Sequence, residues 1–139
     1  MKLSEVVREV IRLGDASREY WDEELPKHHP FYPVIRPGEN PTPPPPEDAE
    51  ILDLLKRLPE NQLYSLILLA YVGRGDCSAD DLPHAYREMK EIFPSSDLVV
   101  ANLAGSRALA EYLTDAMEEI RKRHLDLDKL QLATAVAVG

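Results

Sequence analysis

Arg74, Asp76, Cys77 and His84 bring a guanidinium, a carboxylate, a thiol and an imidazole within eleven residues of one another. Arg74 and Asp76 flank Gly75, and with His84 they form the candidate set for binding a small ligand or anion through charge-assisted hydrogen bonds. Cys77 and His84 also suggest an activated thiol nucleophile, which needs the imidazole within hydrogen-bond reach of the sulfur. Seven residues along a helix span about 10 Å, too far for that bond. Cys77 therefore reads first as a small, buried or half-buried thiol. Arg74-Gly75-Asp76 also spells a cell-adhesion tripeptide, which requires an extracellular chain, and nothing at the N-terminus resembles a signal segment.

His28-His29, with Glu23 or Glu24 nearby, raises a metal site. Adjacent residues in extended chain point to opposite sides, so the expected role is hydrogen bonding and no metal is assigned. The carboxylate pairs Asp80-Asp81 and Glu118-Glu119 diverge by 100° on a helix and suit helix ends better than paired acid–base work. No catalytic residue and no cofactor are assigned. The run Pro41 to Pro46 could dock a proline-binding groove, but a spacer is the simpler reading.

These residues need a scaffold. The 139-residue chain is 44% hydrophobic and 29% charged, with a net charge of −9, which suits one folded domain and opposes binding to nucleic-acid phosphates. No apolar run reaches the roughly 18 residues of a membrane span. A single cysteine and the charged N-terminus point to a reducing, cytoplasmic setting. Nine of twelve prolines fall between Pro26 and Pro46. They divide the chain into an N-terminal helix (1–25), a proline-rich arm (26–46), a body (47–123) and a tail of low order (124–139).

Residues 4 to 24 read as an amphipathic helix capped by Ser4. Its apolar stripe, Leu3, Val7, Val10, Gly14 and Trp21, is the candidate interaction surface, buried against the chain's own body or in a homodimer; Gly14 admits close approach and Trp21 is the anchor. Phe31, Tyr32, Val34 and Ile35 predict an arm ordered against the body. Helices are expected over 47–57, 60–72, 79–93, 96–103 and 106–123, with Pro59 and Pro94 as punctuation. No hairpin is evident. The tail alternates Leu125, Leu127, Leu130 and Leu132 before an Ala/Val-rich end.

Between two of these helices, Tyr71-Val72-Gly73-Arg74-Gly75-Asp76 has the chemistry of a chain reversal. Gly73 or Gly75 is expected at the left-handed position that ends a helix, Gly75 also frees the next link, and Asp76 or Ser78 caps the next helix. Together with Leu58-Pro59-Glu60-Asn61-Gln62-Leu63-Tyr64, Ala85-Tyr86 and Leu109-Ala110-Glu111-Tyr112-Leu113, this stretch resembles a family of small, uncharacterised, mainly bacterial proteins known as a domain of unknown function. The resemblance covers about residues 50 to 120. It implies a helical body and carries no activity.

The expectation is an all-α, compact bundle of five or six helices with the proline-rich arm across it. The leading function is a non-enzymatic protein-interaction or regulatory module, with a protein partner or a homodimer. The alternative is a small-ligand or anion-binding protein, or an unfamiliar enzyme, built around Arg74 and the 73–78 corner.

Overall fold

Hydrophobic periodicity becomes six α-helices in a computed structural model that describes residues 1–130. They are α1 (Leu3–His28), α2 (Pro46–Arg57), α3 (Glu60–Arg74), α4 (Leu82–Ile92), α5 (Ser96–Ala104) and α6 (Leu109–Lys122). No strand occurs among the described residues. Short 3₁₀ turns occupy Ala79–Asp81 and Leu127–Lys129.

The third helix is the centre of the bundle because it is apolar all round. Every residue from Leu63 to Ala70 is buried, as is Val72, which is the pattern of a helix with neighbours on all sides. α6, α4 and α5 pack against it, while α1 lies on α6 and α2. Polar groups carried into this core find partners: Ser65 donates to the Asn61 carbonyl at 2.7 Å, and the Tyr64 hydroxyl donates to the Phe93 carbonyl. That satisfies the requirement that buried donors be bonded.

Several boundaries differ from the sequence reading. α1 runs through Pro26 to His28 although proline lacks the N–H that would bond the Asp22 carbonyl, and the His29 N–H closes the helix on the Leu25 carbonyl at 3.0 Å. Ser4 lies inside the first turn and does not cap it. Its N–H donates to Asp128 Oδ1 at 3.0 Å and its hydroxyl to Oδ2 at 2.6 Å. The tail therefore begins as ordered structure, with Leu127 buried in the core beside that clamp. Leu132 and the Ala/Val-rich end lie outside the described residues. α6 starts three residues later than expected, after a turn through Ser106 and Arg107. It ends at Lys122, and just beyond it His124 takes the left-handed conformation (φ 57°) while the Leu125 N–H reaches back to the Ile120 carbonyl at 3.1 Å.

The two corner glycines take different roles. Gly75, not Gly73, is left-handed (φ 85°). Its N–H bonds the Val72 carbonyl and the Asp76 N–H bonds the Tyr71 carbonyl, each at 3.0 Å, the paired bonds that finish a helix with a left-handed residue. Gly73 stays helical and serves packing: a Cβ there would fall 1.7 Å from the carbonyl oxygen of Tyr112 in α6.

Gly73→Ala should therefore destabilise by about 3 kcal/mol, through backbone displacement between α3 and α6, and Gly75→Ala by about 1 kcal/mol, through left-handed strain alone. Urea unfolding of both variants checks the order. A second expectation concerns acid. The Ser4 hydroxyl and then its N–H hold the Asp128 carboxyl below its ordinary value, so the clamp contributes fully above the unfolded-state pKa and is lost as pH falls through the lowered native one. The stability advantage of wild type over Ser4→Ala should be constant near neutrality and vanish at the acid end of a pH series.

Candidate functional site

At the corner, the end of α3 brings Arg74 and Asp76 together. Arg74 Nε lies 3.0 Å from Asp76 Oδ2, and its guanidinium carbon is 4.9 Å from the Tyr71 ring centre and 5.7 Å from that of Tyr112. Arg74 thus joins α3 to α6 over two aromatic faces. The shallow groove beside it is lined by Asp115, Glu118, Glu119, Lys122 and Arg123. Within that set Glu119 pairs with Lys122 at 3.7 Å and with Arg123 at 4.0 Å, while Arg121 takes Glu118 and Arg123 also reaches Asp80 from outside the groove lining. Cys77 also lines this groove, and its thiol is pushed up by burial, then by Glu88 and Asp76. That is the opposite of an activated thiolate.

His84 does not join Arg74 and Asp76, contrary to the sequence expectation. It opens α4, where its N–H is capped by Asp81 Oδ1 at 3.2 Å and its ring pairs with Glu88 at 2.8 Å one turn on. The reason is helical phase: the i, i+4 carboxylate holds the imidazole on the outer face of α4.

The candidate interaction stripe is also redistributed. Val7 and Val10 are fully buried in the chain's own core, with Leu3 packed at its edge. Gly14 allows α1 onto α6, since a Cβ there would lie 2.9 Å from Ala110 Cβ. Val7 and Val10 are thus taken up inside the chain's own core, and Leu3 packs part-buried against its edge. Trp21, half-buried, instead borders a cavity of about 380 Å³ between α1, α2 and the α5–α6 connection. Its indole N–H donates to Asp48 Oδ2 at 3.1 Å, and the Ser17 hydroxyl donates to Oδ1. The Arg107 guanidinium lies 5.5 Å from the indole ring centre. At the rim, Arg18 pairs with Glu111 at 3.2 Å. Sequence reading missed this cavity because its walls come from segments far apart in the chain; the only signal was a tryptophan beside a glycine and a serine on one helix face.

The arm leaves α1 at His29. That imidazole is buried between Glu39, 2.5 Å from Nδ1, and Thr42, 3.2 Å from Nε2. Tyr20 donates its hydroxyl to the Pro43 carbonyl at 2.5 Å. His28 pairs with Glu24 at 3.3 Å, so the two histidines face different partners. The arm is anchored at its base by polar contacts, and its apolar residues face outward. Phe31, Tyr32, Val34 and Ile35 are 52, 41, 61 and 54% exposed, which corrects the expectation that they hold the arm to the body. Arg36 stacks on Phe31, 3.6 Å from its ring centre.

Because Arg74 and Asp76 are 42 and 49% exposed, Arg74→Ala should cost no more than about 1 kcal/mol, the scale of an exposed ion pair with an aromatic contact; thermal unfolding measures it.

A family model described as "Protein of unknown function (DUF3775)" matches residues 48–121, close to the span of the resemblance read from the corner and its flanking helices. No curated protein and no solved structure matches the chain. The matched span holds α2 to α6 and the corner, whereas α1 and the arm lie outside it. With more than half of its length inside that match, the chain belongs to the DUF3775 family.

Proposed function

We propose that the chain is a non-enzymatic protein-interaction module, working in the cytoplasm, whose contact element is the tip of the arm. The observation that carries this reading is the exposure of Phe31, Tyr32, Val34 and Ile35, four large apolar side chains within five residues. A folded domain gains nothing from holding such groups in water. Complete burial of one is worth about 2 kcal/mol, and clustered apolar exposure on a folded chain marks a surface that meets another molecule. Tyrosine and arginine are enriched among the residues that carry most interface energy, and phenylalanine is enriched at interfaces with them.

The base of the arm supports the same reading. His29, Glu39 and Thr42 close it in a buried contact, and Tyr20 ties it to α1, so the tip meets a partner already shaped and less ordering entropy is lost on binding. The alternative, an anion site around Arg74, has weaker support: Arg74 is engaged by Asp76 and two rings, and the neighbouring groove carries three carboxylates.

The test is a double variant, Phe31→Ala with Ile35→Ala. Its stability should stay within about 0.5 kcal/mol of wild type, since both side chains lie at the surface. Proteins retained from the native host by immobilised wild type should be lost by the variant. Retention of the same proteins by both would show that binding does not use the tip. Light scattering at several concentrations decides whether the partner is a second copy.

A further inference from the structure

We propose that the cavity beside Trp21 binds a small planar monocarboxylate, its ring against the indole and its carboxylate on Arg107. The site is separate from the arm tip and stands or falls independently of it.

The cavity volume, about 380 Å³, falls at the lower end of the range of small-molecule sites. Gly14, Gly105 and Ala108 line it and put no bulk into it, while the neighbouring core is filled. Into this space the chain sets one large aromatic group in a fixed pose. Asp48 holds the indole by its N–H, and Ser17 occupies the second Asp48 oxygen, so the ring cannot turn to close the gap. A fixed aromatic wall in a small cavity favours a flat, apolar ligand body stacked upon it.

The charge arrangement selects the head group. Arg107 lies at the indole, 5.5 Å from its ring centre, so an incoming ring takes the indole face as the guanidinium moves onto the ligand carboxylate, and among the described residues Arg107 has no carboxylate within 4.0 Å. It stands two residues before α6, where the positive end of the helix disfavours a cation, in a chain whose acids outnumber its bases by 25 to 16. Arg18 at the same rim is paired with Glu111, so Arg107 is the cation left for a ligand. A carboxylate matches its planar fork with two parallel N–H donors. Asp22 and Asp48 also border the cavity. Asp48 has both oxygens bonded, yet the pair still sets a negative background that disfavours ligands with more than one charge. One negative charge on a planar body is the class that meets all three conditions.

Trp21 is the only tryptophan, so one indole N–H resonance reports the site in the full chain. The probes are 2-naphthoate, its neutral analogue 2-naphthamide, and the dianion 2-naphthyl phosphate. Naphthoate should shift that resonance saturably and raise the thermal midpoint. The amide and the phosphate ester should each bind at least about tenfold more weakly. Arg107 is exposed, so Arg107→Ala should fold as wild type while losing at least about tenfold in naphthoate affinity, with Arg107→Lys recovering part of it. A shift that fails to saturate, equal binding of amide and acid, tighter binding of the phosphate ester, or wild-type affinity in Arg107→Ala would each overturn the proposal.

Discussion

The structure depends on one close approach, that of Gly73 in α3 to the Tyr112 carbonyl in α6, which leaves no room for a side chain. Two helices that touch backbone to backbone have their relative position set within tenths of an ångström. The other packing relations build on that contact. α3 is enclosed because α6 covers one side, with α4 and α5 covering others. α6 in turn supplies the floor for α1, where Gly14 meets Ala110 in a second, looser version of the same device. Arg74, one residue past Gly73, then reaches both Tyr71 and Tyr112. Its charge belongs to that joint.

Around this core the polar contacts hold the periphery. Ser4 and Asp128 tie the start of α1 to the turn after α6, and Lys90 pairs with Glu60 at 2.9 Å between α4 and α3. The buried His29 closes the arm. Such contacts each contribute modestly, but they decide where loose segments lie. The arm tip and the Trp21 cavity are both products of this arrangement: one is a loop held away from the core, the other a gap left where α1 crosses the α5–α6 connection. Both use residues outside the family match, since α1 and the arm precede residue 48. The arm tip thus lies wholly in the N-terminal third, while the cavity joins Trp21 of that third to Asp48 and Arg107 of the DUF3775 span.

Much of the architecture was legible in the sequence, for identifiable reasons. The all-α class and the helices from Pro46 onward follow from 3.6-residue periodicity with proline and glycine punctuation, which are local signals. Gly73 was not legible, because a glycine inside a helix and one at its end look alike until the partner helix is placed, and Tyr112 belongs to a helix far along the chain. Ser4 looked like a cap for the same reason, its acceptor Asp128 being 124 residues on. The apolar arm residues suggested packing, yet the base is held by His29, Glu39 and Thr42. Of the ligand trio, sequence proximity placed Arg74 with Asp76 and misplaced His84, whose position is set by the phase of α4. The Trp21 cavity needed three distant segments at once.

Native-state hydrogen exchange tests the central claim that the bundle is organised on α3 and its contact with α6. The account predicts that the amides of Leu66 to Ala70 exchange only through global unfolding, with the matching turn of α6 around Leu113 equally protected, and with lower protection in α2 and the arm. If α3 exchanged through a cheaper local opening while α1 or α2 carried the slowest amides, the bundle would be organised elsewhere and the account would be contradicted.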